Sequence, residues 1–145
     1  MKAYADSSFI VALYIPQESS GDAIRFMQRY ERALPFTPWH RLEARNAIRI
    51  AVFKKLIESF QAKAQLKQME VDLREATLLT HEPLDWVDVL RQAEKLGATH
   101  NERVGCRSSD LFHVASARKL GCDVFLTFDG KQTSMAKAAG LTVKP

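Results

Sequence analysis

The sequence predicts an α/β protein: a three-layer α/β/α domain with a mostly parallel sheet of four to five strands. Three observations carry that expectation. Short β-like runs alternate with amphipathic stretches of helical period. Ser, Thr, Asp, Gly or Pro stands at most changes of element. The strand-like runs are separated by helices, as parallel neighbours require. The 145 residues suit a single domain spanning 1–145.

In chain order, residues 2–5 form a short strand, and Ser7 or Ser8 caps a helix through Tyr14 that stops before Pro16. Ser19 and Ser20 open a second helix that reaches about Arg32. Residues 34–37 form the second strand, and Thr37 then serves as N-cap with Pro38 at the first position of a long helix to about Ile57. Ser59 starts another helix, to about Arg74, whose polar sides mark it as a surface or hairpin element. Residues 77–80 make the third strand. A helix over 85–96 closes at Gly97, and 98–108 reads as an irregular loop. Ser109 or Asp110 caps a helix that ends at Leu120, before Gly121. Residues 124–128 give the clearest strand pattern. Asp129-Gly130 turns into a helix ending near Ala139, Gly140 terminates it, and 141–143 form a closing strand.

Hydrophobic residues make up 46% and charged residues 26%, with 6 Gly and 5 Pro, which disfavours intrinsic disorder and low-complexity arrays. The longest apolar stretch, 9–15, is far short of the roughly 20 residues that span a bilayer. Asp6 stands where a signal peptide needs its apolar segment, so a cytoplasmic protein without membrane association is expected. Cys106 and Cys122 are read as reduced thiols. His40, His81, His100 and His113 form no zinc-type pair, so any metal would be held by oxygen. Lys and Arg number 21 against 17 Asp and Glu, a net charge of +4 that favours polyanions without deciding for them.

In open parallel sheets, ligands sit beyond the carboxyl ends of the strands. Asp6 follows the first strand, Glu43 the second and Asp129 the fourth, while Asp110 starts the helix that feeds the fourth. Each has a structural reading. Asp6 suits an Asx turn, Asp110 an N-cap, and Asp129 a capping box with Gln132. At about 100° per residue, Glu43 shares a face with Trp39, Ala47 and Ile50, opposite Arg41, Arg45 and Arg49. An ionised acid on an apolar face is costly unless paired. Clustered carboxylates need a cation, and an oxygen-only donor set selects Mg²⁺ or Mn²⁺. Such a centre suits phosphodiester hydrolysis, where metal activates water and screens the phosphate, while a basic surface attracts the polyanion.

Four segments carry a family likeness: Tyr4-Ala5-Asp6-Ser7-Ser8-Phe9, Thr37-Pro38-Trp39-His40-Arg41-Leu42-Glu43, Arg107-Ser108-Ser109-Asp110-Leu111-Phe112-His113, and Leu126-Thr127-Phe128-Asp129 followed by Lys137-Ala138-Ala139-Gly140-Leu141. In this order and at this length the chain resembles PIN-domain ribonucleases, and within them the VapC-type toxins of type II toxin–antitoxin pairs. The resemblance implies Asp6 and Asp110 as principal Mg²⁺ ligands, with Glu43 and Asp129 completing the catalytic cluster directly or through water. Ser8 and Thr127 would be supporting polar residues. It also implies a metal-dependent endoribonuclease with RNA as substrate, a cognate antitoxin that covers the site, and a homodimer.

The Arg41, Arg45 and Arg49 stripe either tracks RNA phosphates or forms a solvated helix face. His113, one turn from Asp110, is read as a packed core histidine and is not assigned as a base. Trp39, Trp86 and the phenylalanines are read as core or dimer surface. A receiver-type Mg²⁺-binding signalling domain needs an acid closing its third strand, where this chain has Thr80-His81. A non-catalytic PIN-like module binding RNA or protein is the other alternative, and the intact acid set argues against it.

Overall fold

A computed structural model describes residues 1–145. Its elements follow one another in the predicted order: β1 (Ala3–Ala5), α1 (Ser7–Tyr14), α2 (Ser20–Tyr30), β2 (Leu34–Phe36), α3 (Pro38–Phe53), α4 (Ser59–Glu75), β3 (Leu79–His81), α5 (Trp86–Val104), α6 (Ser108–Lys119), β4 (Val124–Leu126), α7 (Gly130–Ala138) and β5 (Thr142–Lys144). All strand pairs are parallel, as the helical crossovers demand. No helix is long and apolar enough to cross a membrane. The chain divides into two compact units, Met1–Asp6 with Leu84–Pro145, and Ser7–Pro83.

The first unit is built on the strand order β1-β4-β5. Ala3, Tyr4, Ala5, Phe125 and Leu126 are fully buried, so the central pair is apolar on both faces, as a helix-covered parallel sheet should be. Ala5 lies opposite Leu126. Asp6 and Thr127, the next residue on each strand, therefore emerge side by side at the carboxyl end. The ladder continues through them, Asp6 N–H donating to Leu126 O at 3.0 Å and Thr127 N–H to Lys144 O at 3.1 Å. Helices α5, α6 and α7 pack on one another, and α6 is buried along nearly its whole length from Asp110 to Ala117.

In the second unit β2 pairs with β3, while α1 packs on α2 and α3, and α4 on α3 and β3. Leu34 N–H and Phe36 C=O bond toward the β3 side, to Leu78 O and Glu82 N–H. Pro35, the residue between them, points its backbone the other way and has no N–H to offer. Such a strand forms an edge, which accounts for the five predicted strands pairing as three plus two rather than as one continuous ladder. Helix α3 opens on the Thr37 cap, whose Oγ1 accepts from His40 N–H at 3.3 Å while His40 Nδ1 accepts from Thr37 N–H at 3.0 Å. Lys55 adopts φ 59° and Leu56 N–H reaches back to Ala51 O, ending α3 four residues earlier than expected. Tyr14 donates to the buried Asp72 at 2.6 Å, and burial followed by that carboxylate pushes the phenol well above its ordinary pKa.

The largest departure from the sequence reading is at Gly97, which does not end α5. The helix runs on to Gly105, whose φ of 70° supplies the left-handed residue that terminates it. Most of the predicted loop at 98–108 is thus helical, and Asn101 ties down what remains by accepting from Cys106 N–H and donating to Cys106 O. Gly97 serves packing instead: a Cβ there would lie 3.1 Å from Leu111 Cδ1, so its absence lets α5 approach α6. Gly97→Leu should lower the unfolding free energy by about 1–3 kcal/mol in urea titration, through overpacking against Leu111.

Candidate active site

The carboxyl ends of β1 and β4 start a chain of hydrogen bonds that links three of the four predicted acids. Thr127 Oγ1 donates to Asp6 Oδ2 at 2.6 Å and accepts from Asp129 N–H at 3.0 Å, the two roles a hydroxyl fills at once. Asp129 caps α7, its Oδ1 accepting from Gln132 N–H at 2.8 Å. The Gln132 side chain then crosses to α6, where Nε2 donates to Asp110 Oδ1 at 3.0 Å. Asp6, Thr127, Gln132 and Asp110 are all buried, while Asp129 is exposed.

Asp110 is the third residue of α6 and not its cap, correcting the expected N-terminus by one turn's geometry. Its Oδ2 accepts from the N–H of the true N-cap, Arg107, at 3.0 Å. A carboxylate in the first turn is favoured there by the helix dipole and the unpaired amides. The Arg107 guanidinium also approaches Oδ2 at 3.4 Å, but its side chain is 80% exposed, so this cation screens Asp110 only from the edge. The Cys106 thiol is pushed up by burial first and by the Asp110 charge second, with Asp129 adding to it. It stays a neutral thiol, leaving carboxylates as the hard donors of the site.

The remaining expected residues are not members of this hydrogen-bond chain. Glu43 is half-buried on α3, in the second unit. The inner face of α3 is His40, Ala44 and Ile48, one position over from the predicted Trp39, Glu43, Ala47 and Ile50 face, of which Ile50 is exposed. The shift has a cause: His40 turns inward as the cap partner and stacks on Phe36 at 5.7 Å, which a count of apolar residues misses. Arg41 pairs with Glu70, and Arg45 reaches both Glu70 Oε1 at 3.1 Å and Leu66 O at 3.2 Å, so two members of the arginine stripe fasten α3 to α4. The Arg41 hydrogen bond holds the Glu70 carboxyl below its usual range. Arg49 remains exposed, as does Ser8. His113 is buried with Nδ1 2.8 Å from Tyr4 Oη, the packed histidine that was expected. Gln132 was read only as a capping partner. Its position three residues after Asp129 is the signal that points it back to the strand ends.

The sequence model of the PIN domain matches residues 3–138. The chain belongs to the PIN-domain family. Several solved structures of low sequence identity share its fold. Mycobacterium tuberculosis VapC20, described as a Sarcin-Ricin loop cleaving toxin, is 23% identical with a TM-score of 0.69, covering 99% of this chain and 100% of that one. FitAcB from Neisseria gonorrhoeae is 14% identical with a TM-score of 0.67, covering 99% and 96%. FitAB bound to an IR36 DNA fragment is 16% identical with a TM-score of 0.67, covering 98% and 93%. No curated protein matches the sequence significantly.

For a PIN domain the chemistry of this donor set fits a hydrated Mg²⁺ or Mn²⁺. No group of three or more His, Cys, Asp and Glu side chains is arranged to hold an ion by itself. Mg²⁺ rarely asks for that, since it is commonly bound through one or two carboxylates and keeps several waters. One observation favours such a water-rich ion: Gln132 Oε1 is buried without a hydrogen-bond partner. An orphaned buried carbonyl costs about 1–3 kcal/mol until something donates to it. The Thr127 bridge gives the most direct handle on the network. Thr127→Val keeps the shape but removes the donor to Asp6 and the acceptor for Asp129 N–H. It should cost about 1.5–3 kcal/mol in chemical denaturation, the range of hydrogen bonds to charged groups. Thr80→Val, on the half-buried middle of β3, should cost far less.

Proposed function

We propose that this chain is a Mg²⁺- or Mn²⁺-dependent endoribonuclease, acting in the cytoplasm as the VapC-type toxin of a type II toxin–antitoxin pair. The observation that carries the proposal is the pair of buried carboxylates, Asp6 and Asp110, linked through Thr127, Asp129 and Gln132. Two buried carboxylates within one hydrogen-bonded network are the donor type that a hydrated divalent ion takes. In this reading the two units form one nuclease domain, consistent with a family match that runs across both. The VapC20 likeness supports an RNA-cleaving toxin, and FitAcB and FitAB support a partnered one.

Asp6 and Asp110 would hold the ion. Asp129 and Glu43 would complete the acid set, directly or through water. The ion supplies a Lewis acid that activates water and screens the phosphate. Thr127 keeps the Asp6 carboxylate oriented by donating to Oδ2, and Gln132 does the same for Asp110. Arg107, exposed beside Asp110, would meet a substrate phosphate. Arg49 is the member of the basic stripe best placed for RNA, because Glu70 engages Arg41 and Arg45. Phe53, Leu56 and Phe60, all more than two-thirds exposed around the α3–α4 turn, support a protein partner, an antitoxin or a second copy.

Purified protein should cut RNA with Mg²⁺ or Mn²⁺, and EDTA should stop it. Asp6→Asn and Asp110→Asn should each reduce cleavage by at least about 100-fold while leaving the circular dichroism spectrum unchanged, since each removes a metal-holding charge. Undiminished cutting by both variants, or by the parent in excess EDTA, would reject the metal mechanism.

A further inference from the structure

Gln132 is 2% exposed and stands at the centre of the network. The orientation of its amide is set by chemistry. Asp110 Oδ1, a carboxylate oxygen, accepts from Nε2 at 3.0 Å, and turning the amide over would set oxygen against oxygen. Its carbonyl therefore points away from that bond, buried and without a donor. Amide geometry puts Oε1 about 2.3 Å from Nε2, hence within roughly 5 Å of the Asp110 carboxylate. That separation is spanned by a carboxylate-bound ion and one water of its shell. An apolar side chain of the same length would fill the space without leaving a polar atom unsatisfied, so a merely packing role does not explain an amide here.

We propose that Gln132 is a positioning residue for the divalent ion: its NH₂ group orients the Asp110 carboxylate, and its buried carbonyl oxygen takes a hydrogen bond from the ion's hydration shell. The inference rests on the metal site of the proposed function and assigns a role to a neutral residue outside the acid set. Carboxylates and their outer partners act together in such sites, and removing an outer partner commonly weakens metal binding about 10–100-fold.

The test is Mn²⁺ affinity by isothermal titration calorimetry, with melting in EDTA measured on the same samples. Gln132→Met, equal in length and without either polar group, should bind Mn²⁺ at least about tenfold more weakly than the parent. Gln132→Glu keeps an acceptor at the same reach but sets a second carboxylate beside Asp110. It should melt at a lower temperature in EDTA and still bind Mn²⁺ at least as tightly as the parent. Gln132→Met with parental Mn²⁺ affinity overturns the proposal, because an ordinary buried water or simple packing then suffices. Should Gln132→Met fail to fold, Gln132→Glu decides, and loss of its Mn²⁺ binding overturns the proposal equally. A parent that binds no Mn²⁺ at all removes the metal site itself, a failure distinct from that of Gln132 alone.

Discussion

Two carboxylates buried at the end of a parallel sheet are the constraint on which the site depends. Asp6 leaves β1 and Thr127 leaves β4 at one level because Ala5 and Leu126 are in register. A shift of one residue in that pairing would part the hydroxyl from the carboxylate and turn every side chain of the strand over. The apolar run of β4 and the buried Ala3, Tyr4 and Ala5 therefore do more than fill a core. They set the register that brings Thr127 within 2.6 Å of Asp6. From there the caps of α7 and α6 carry the connection to Asp110, so helix starts that would otherwise be local devices become part of one polar network.

Nearly all of the element order was legible, because periodicity and punctuation agree along most of the chain. Where they conflicted, tertiary packing decided. Gly97 looks like a helix end, yet it is a contact point with Leu111, and Gly105 is the glycine that adopts positive φ. His40 counts as polar in a helical wheel, and the cap that buries it moved the inner face of α3 by one residue. Asp6, Glu43 and Asp129 stood out by position after strands, and Asp110 by its place at the start of the helix that feeds β4. The residues that organise them were harder to see: Thr127 came from the family resemblance, and the capping pattern singled out Gln132 without its link to Asp110, since an amide three residues after a cap is common in helices with no site at all.

The neighbourhood of Asp110 also bears on the thiol nearby. Burial, then the Asp110 charge, with Asp129 adding to it, favour the protonated form of Cys106. The single arginine at Asp110 is peripheral and exposed, unlike the Arg41–Glu70–Arg45 arrangement on α3 and α4, where opposite charges already meet. Arg41 and Arg45 join two helices. Asp6 and Asp110 instead tie strand ends to helix starts through Thr127 and Gln132.

The most direct measurement is anomalous diffraction at the manganese edge from crystals of the protein soaked in Mn²⁺. A peak in coordination contact with carboxylate oxygens of both Asp6 and Asp110 is the predicted result. An Mn²⁺ peak only elsewhere, or none, in crystals where both carboxylates keep their Thr127 and Gln132 hydrogen bonds would contradict it.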